Sequence, residues 1–121
     1  MITGVDAGTR PAAAEIAAYA AELLACGSIE MGAHQPEMAR RIAALLPSGT
    51  PVYVNHLPRH SLADALASLV AVREAGLEPV PHLAARRIAS QGELEAFLKR
   101  AVGAAGVRKV LLIGGDETTP L

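Results

Sequence analysis

Apolar residues along this chain alternate between two periods. From Pro11 to Ala25, Ile16, Tyr19, Ala20, Leu23 and Leu24 recur at helical spacing. Pro11 suits the first turn of that helix and Gly27 its C-terminal stop. Ser28-Ile29-Glu30-Met31 then reads as a short strand. Pro36 opens a second helix whose predicted buried face is Met38, Ile42, Leu45 and Leu46, ended by Pro47 and Gly49. Pro51 to Leu57 reads as a second strand. Ser61 is the next N-cap, with Asp64 three positions on, close to a capping box. Leu62, Leu66, Leu69 and Val70 follow on one face, and Gly76 closes the helix. Glu78 to Leu83 falls between two clear helices and is assigned as a strand, although Pro79 and Pro81 oppose that by propensity. Ser90 and Glu93 form a capping box for a fourth helix bearing Leu94, Phe97, Leu98, Ala101 and Val102, stopped by Gly106. Val107 to Ile113 is an aliphatic run typical of a strand buried on both faces.

A glycine precedes each strand, at Gly27, Gly49, Gly76 and Gly106. A helix between consecutive strands forces parallel neighbours, since a hairpin cannot join them. Right-handed crossovers place all the helices on one side if strands are added in order. Such a sheet curls toward a barrel, so the fold class expected is α/β: parallel βα repeats forming about half of a (β/α)8 barrel, as one domain over residues 1–121. A doubly wound sheet is the alternative; it needs a reversal of strand order.

Composition narrows the function classes. Hydrophobic residues make up 51% of the chain, a globular rather than disordered composition. Net charge is −1 and the arginines are scattered, so neither a nucleic-acid stripe nor a polybasic membrane patch is present. Charges interrupt every apolar stretch short of the roughly 20 residues a spanning helix needs. The N-terminus carries acidic residues and no continuous apolar core of a signal peptide. Cys26 is the single cysteine, which excludes a disulfide within the chain and suits a reducing cytoplasm.

In parallel α/β folds chemistry gathers where strands end. The residues there are Glu30, Asn55 with His56, His82, and Ile113-Gly114-Gly115-Asp116. Burial of Glu30 in a barrel mouth would raise its pKa toward general-acid range; otherwise it is a solvated edge glutamate or the partner of an arginine. The histidine spacing matches no structural zinc pattern, and His34 and His60 read as loop histidines. Gly114 and Gly115 let backbone N–H groups approach a flat or anionic ligand, or simply turn the chain with Asp116 capping a following helix. Neither a Walker loop nor a GxGxxG fingerprint is present.

Taken in order, Ser28-Ile29-Glu30, Val54-Asn55-His56-Leu57-Pro58, Pro79-Val80-Pro81-His82-Leu83 and Leu111 to Asp116 resemble the N-terminal half of methylenetetrahydrofolate reductases. The run from Pro81 through Arg86-Arg87-Ile88 is similar to a divergent bacterial branch of that family. The resemblance implies a (β/α)8 barrel holding FAD. Hydride would pass from NAD(P)H through the flavin to folate-bound methylene, giving methyltetrahydrofolate. It implies Glu30 as general acid for opening the folate's imidazolidine ring. It implies Asp116 near flavin and folate, Ile113, Gly114 and Gly115 along the flavin, and His82 and Asn55 as flavin contacts. The first strand departs from the family in lacking an aromatic pair, and Gly114 stands where many relatives have arginine.

A whole barrel needs about 250 residues. The chain is therefore expected to be a piece of a longer barrel or a half-barrel that pairs, and in isolation to self-associate or to be only marginally stable. Two further readings are an α/β domain that binds a nucleotide or phosphorylated ligand through Gly-Gly-Asp, and a non-catalytic half-barrel that serves assembly.

Overall fold

Helix and strand alternate in the computed structural model, which describes residues 11–119. The order is α1 (Ala13–Ala25), β1 (Ile29–Met31), α2 (Met38–Ala43), β2 (Pro51–Val54), α3 (Leu62–Glu74), β3 (Glu78–Ala84), a 3-10 turn (Ala85–Arg87), α4 (Gln91–Ala105) and β4 (Leu111–Ile113). The expectations placed on the N-terminal leader region and on the end at Leu121 lie outside the described residues. No helix among the described residues is long and apolar enough to cross a membrane.

The four strands form one sheet in the order β1-β2-β3-β4, with every neighbouring pair parallel. Register defines its two faces, because residues paired across parallel strands point the same way. Met31 lies opposite Val54, and Leu83 opposite Leu112, on the face that the helices cover. There Val52, Val54 and Leu83 pack with Ile42, Leu66, Leu69, Val72, Phe97 and Ala101 in one cluster. Val52, Val54, Leu69 and Val72 are fully buried, each burial worth about 1.5–3 kcal/mol. The opposite face carries Glu30 paired with Tyr53, Tyr53 with Val80, His82 with Leu111 and Ala84 with Ile113. Residues of that second face take no part in the helix-packed cluster, although Val80 and Ala84 on it are buried.

The two prolines of β3 are accommodated by a change of partner. Glu78 donates its N–H to Thr50 of the β2 side at 3.0 Å, so by alternation Pro79 and Pro81 aim their donor-less nitrogens at the other edge. Pairing with β4 begins only at His82, beyond both prolines. The strand therefore loses no ladder bond to either proline.

Helix ends follow their chemistry. Ser61 caps α3 with a complete box: its Oγ accepts from the Asp64 N–H at 3.2 Å, and its own N–H donates to Asp64 Oδ2 at 2.8 Å. At α4 only half of the expected box forms. Ser90 Oγ accepts from the Glu93 N–H, but the Glu93 carboxylate takes the N–H of Ala89, one residue before the cap. Gly106 ends α4 in the left-handed region at φ 62°.

Three expectations need correction. Helix α2 stops at Ala43, and Leu45 is 83% exposed rather than buried; Pro47 disfavours helical geometry just before it and turns the chain away. Val102 is also exposed, lying off the Phe97–Ala101–Ala105 stripe that meets the core. The run before Gly114 is not a strand buried on both faces. Val107 reaches the core, but β4 covers only Leu111–Ile113 and all three are exposed. It is the edge strand of the sheet, and Leu112 stays 67% exposed on the face where helices cover the other strands.

Candidate functional site

The chain brings Glu30 and Asn55 together at the C-terminal ends of β1 and β2. Asn55 Nδ2 donates to Glu30 Oε1 at 3.2 Å. The same side chain accepts from the Ala33 N–H through Oδ1 at 3.3 Å, and the Asn55 backbone N–H donates to the Met31 carbonyl at 3.1 Å. The carbonyl of Ala33 in turn accepts from Ser68 Oγ at 2.6 Å, a hydroxyl buried in α3. The loop leaving β1 is thus clamped from a strand end and from a helix. The clamp fixes the amide that holds the Glu30 carboxylate. Glu30 itself is exposed, so the desolvation expected of a closed barrel mouth is not present here.

His82 lies farther along the same face. Its ring meets Tyr53 edge-on, with centroids 5.7 Å apart. Ile113 shares this face through its register with Ala84, two residues beyond His82. Past β4 the backbone of Gly114 is tied down by the Arg86 N–H, which donates to its carbonyl at 3.1 Å. Gly115 turns the chain with φ 91°, and a Cβ there would stand 2.8 Å from Glu117 Oε2. The positive φ favours glycine at that position, whereas the Glu117 carboxylate, at the end of a flexible side chain, could shift aside. Asp116 is exposed, and no hydrogen bond among the described residues joins it to Glu30 or His82. So Glu30, Asn55, His82 and Ile113 share one face or rim, while Gly114, Gly115 and Asp116 form the turn beyond its last strand.

Behind that rim lies a second polar group, which joins the strand-end His56 to Arg87 and Glu117. His56 is buried, and its Nδ1 accepts from the Ala84 N–H at 3.3 Å, which puts the neutral ring's proton on Nε2. Burial holds its pKa below the ordinary 6.5, and the nearby Arg87 guanidinium acts in the same direction. Arg87 Nε pairs with Glu117 Oε1 at 3.1 Å, and Arg86 Nη1 donates to the Glu117 carbonyl at 3.1 Å. Both arginines of the Ala84–Ile88 run therefore bind the segment that follows β4. Arg87 Nη1 and Glu117 Oε2 are buried without a hydrogen-bond partner among the described residues. The loop histidines are also less solitary than expected: the rings of His34 and His60 stack with centroids 4.4 Å apart, and His60 Nδ1 is buried.

The signal for His56 was present in the sequence. Val52 and Val54 are buried at a period of two, and the next position in that series is 56. Arg87 and Glu117 had no such signal, because their partnership joins segments on either side of α4. No protein-family model matches the chain.

Proposed function

We propose that the chain forms half of a (β/α)8 barrel that reduces folate-bound methylene with NAD(P)H by way of FAD. The observation carrying this reading is the sheet face opposite the helices, where Asn55 holds Glu30 at one strand end and His82 stands against Tyr53 at the next. Sequential parallel strands with all crossovers on one side match the order in which such a barrel is built. The ordered motifs at the strand ends support the family reading, as does the face or rim that Glu30, Asn55, His82 and Ile113 share.

The residues present fit a flavin. Nothing lies within 4 Å of the position a Cβ would take at Gly114, so a flat ring can lie against that backbone. Ile113 offers an apolar contact, and His82 and Asn55 offer polar ones. Asp116, just beyond, would set a negative charge near the ring and oppose its anionic reduced form. When bound, FAD supplies the hydride relay between nicotinamide and the one-carbon unit. Glu30 has the other role: its solvent-exposed carboxyl takes up a proton from water and passes it to the folate ring nitrogen as the imidazolidine opens. The Asn55 amide orients it for that transfer through Oε1.

Turnover of methylenetetrahydrofolate by the protein supplied with FAD and NADH or NADPH tests the reading. Glu30→Gln should lower turnover by about 100-fold or more without lowering flavin content. Unchanged turnover in that variant would remove Glu30 from the chemistry.

A further inference from the structure

We infer that the turn following β4 is a latch closed by Arg86 and Arg87, which act as positioning residues for Gly114, Gly115 and Asp116. The closing contacts need no cofactor. What they serve, the placement of a turn that meets a flavin, rests on the function proposed above.

Three contacts from the segment after β3 hold the turn of residues 114–117. The Arg86 N–H donates to the Gly114 carbonyl at 3.1 Å, just past the last register pair, Ala84 with Ile113. Arg86 Nη1 donates to the Glu117 carbonyl at 3.1 Å, and Arg87 Nε pairs with Glu117 Oε1 at 3.1 Å. Neighbouring arginines therefore grip both ends of the turn and bracket Asp116 between anchored positions. The backbone lies close to its anchor: a Cβ at Gly115 would come within 3.5 Å of Ala84 Cβ and 3.7 Å of Arg86 Cβ. Ala84 donates its N–H to His56, so the latch closes on a strand end that is itself held from the β2 side.

Opening the turn takes nothing from the core. No residue from 111 to 119 belongs to the helix-packed cluster, and Gly114 and Asp116 are exposed. Closure therefore depends on polar contacts, and these are incompletely satisfied. The Arg87 and Glu117 side chains are 12% and 29% exposed, yet Arg87 Nη1 and Glu117 Oε2 have no hydrogen-bond partner among the described residues. The partly buried charge pair favours the closed turn, because either charge left alone is costly. The orphaned donor and acceptor oppose it. Opening of a segment held in this way is separable from unfolding of the domain. Glycine supplies the hinge: Gly115 has φ 91°, and no atom lies within 4 Å of a Cβ position at Gly114.

Closed, the latch fixes the Gly114 backbone and sets Asp116 at the rim beyond Ile113. Open, it frees both while β3 and β4 stay paired through His82–Ala84 and Leu111–Ile113. Neither arginine has to meet the cofactor; both act on it through the turn.

Amide hydrogen exchange in the cofactor-free chain tests the latch directly, because the Arg86 N–H has the Gly114 carbonyl as its partner only while the turn is closed. Glu117→Ala and Arg87→Gln should each speed exchange at Arg86 by about tenfold or more, with exchange at Ala84 and along α3 unchanged. Equal acceleration at Arg86, Ala84 and α3 would mean general loosening, and none at Arg86 would mean that the ion pair holds nothing. Either result overturns the inference. FAD titration of the same variants tests what the latch serves, with affinity expected to fall about tenfold or more. Full affinity in both variants, beside faster exchange at Arg86, would overturn the positioning role and leave the flavin reading standing. A wild-type chain that binds no FAD, with the Arg86 response intact in the variants, removes the flavin reading and supports the latch.

Discussion

Ser68→Ala is the sharpest probe of how the loop bearing Glu30 is held. The Ser68 hydroxyl is fully buried and donates to the Ala33 carbonyl at 2.6 Å, while Ala33 is itself 1% exposed. The substitution changes volume by a single atom, so packing contributes little. Its main effect is to strand a buried carbonyl, which costs about 1–3 kcal/mol. At roughly 4 °C per kcal/mol for a domain of this size, Tm should fall by about 4 °C at the least. Urea and thermal unfolding, compared at equal protein concentration, measure the loss. Asn55→Ala releases the other backbone group of the same residue, where Asn55 Oδ1 accepts the Ala33 N–H. The two variants should therefore be non-additive, with a coupling of about 0.5 kcal/mol or more. A loss below about 0.5 kcal/mol for Ser68→Ala, the scale of an ordinary surface change, would show that the Ala33 carbonyl finds water and that the clamp is not real.

His56 and Ser61 give two further outcomes, both read from pH. The folded pKa of His56 lies below 6.5 because of burial and Arg87, so the unfolded chain takes up the proton first. Its contribution is complete above pH 6.5 and is lost as pH falls toward the folded value. His56→Asn keeps an acceptor for the Ala84 N–H without titrating, so urea midpoints should fall less steeply on acidification from that pH; identical slopes would remove His56 from the acid response. At Asp64, hydrogen bonds from the Ser61 backbone and hydroxyl hold the carboxyl below its ordinary 3.8. That stabilisation is present above about 3.8 and disappears as pH falls through the lower folded value. Ser61→Ala should therefore be less stable at neutral pH, with the deficit narrowing in acid; a deficit constant with pH would refute the assignment.

Much of the fold was legible because its signals are local. Glycine stops, the Ser61 cap and the alternation of helix and strand periods all depend on residues within a few positions of each other. The strand between Glu78 and Ala84 was readable from its place between helices despite two prolines, whose tolerance depends on where β4 begins to pair. What sequence could not convey was long-range. The exposure of Leu111, Leu112 and Ile113 follows from β4 being an edge, and an aliphatic run carries no mark of that. Leu45 failed because helical spacing was extended past the point where Pro47 ends the helix.

The site divides in the same way. Glu30, Asn55 and His82 were found by their position at strand ends, and the Asn55–Glu30 bond joins two of them. Ser68 and His56 were readable in principle, each continuing a buried period, but both are polar and were passed over as core positions. The pairing of Arg87 with Glu117 depends on how the segment after β4 returns to the turn after β3. Only the assembled chain reveals it.

Equilibrium binding of FAD to the purified chain tests the proposed function most directly. The expected result is saturable quenching of flavin fluorescence, weakened about tenfold or more by His82→Ala and unaffected by Glu30→Gln. A flavin spectrum that stays that of free FAD at saturating protein, or equal binding by His82→Ala, would contradict it.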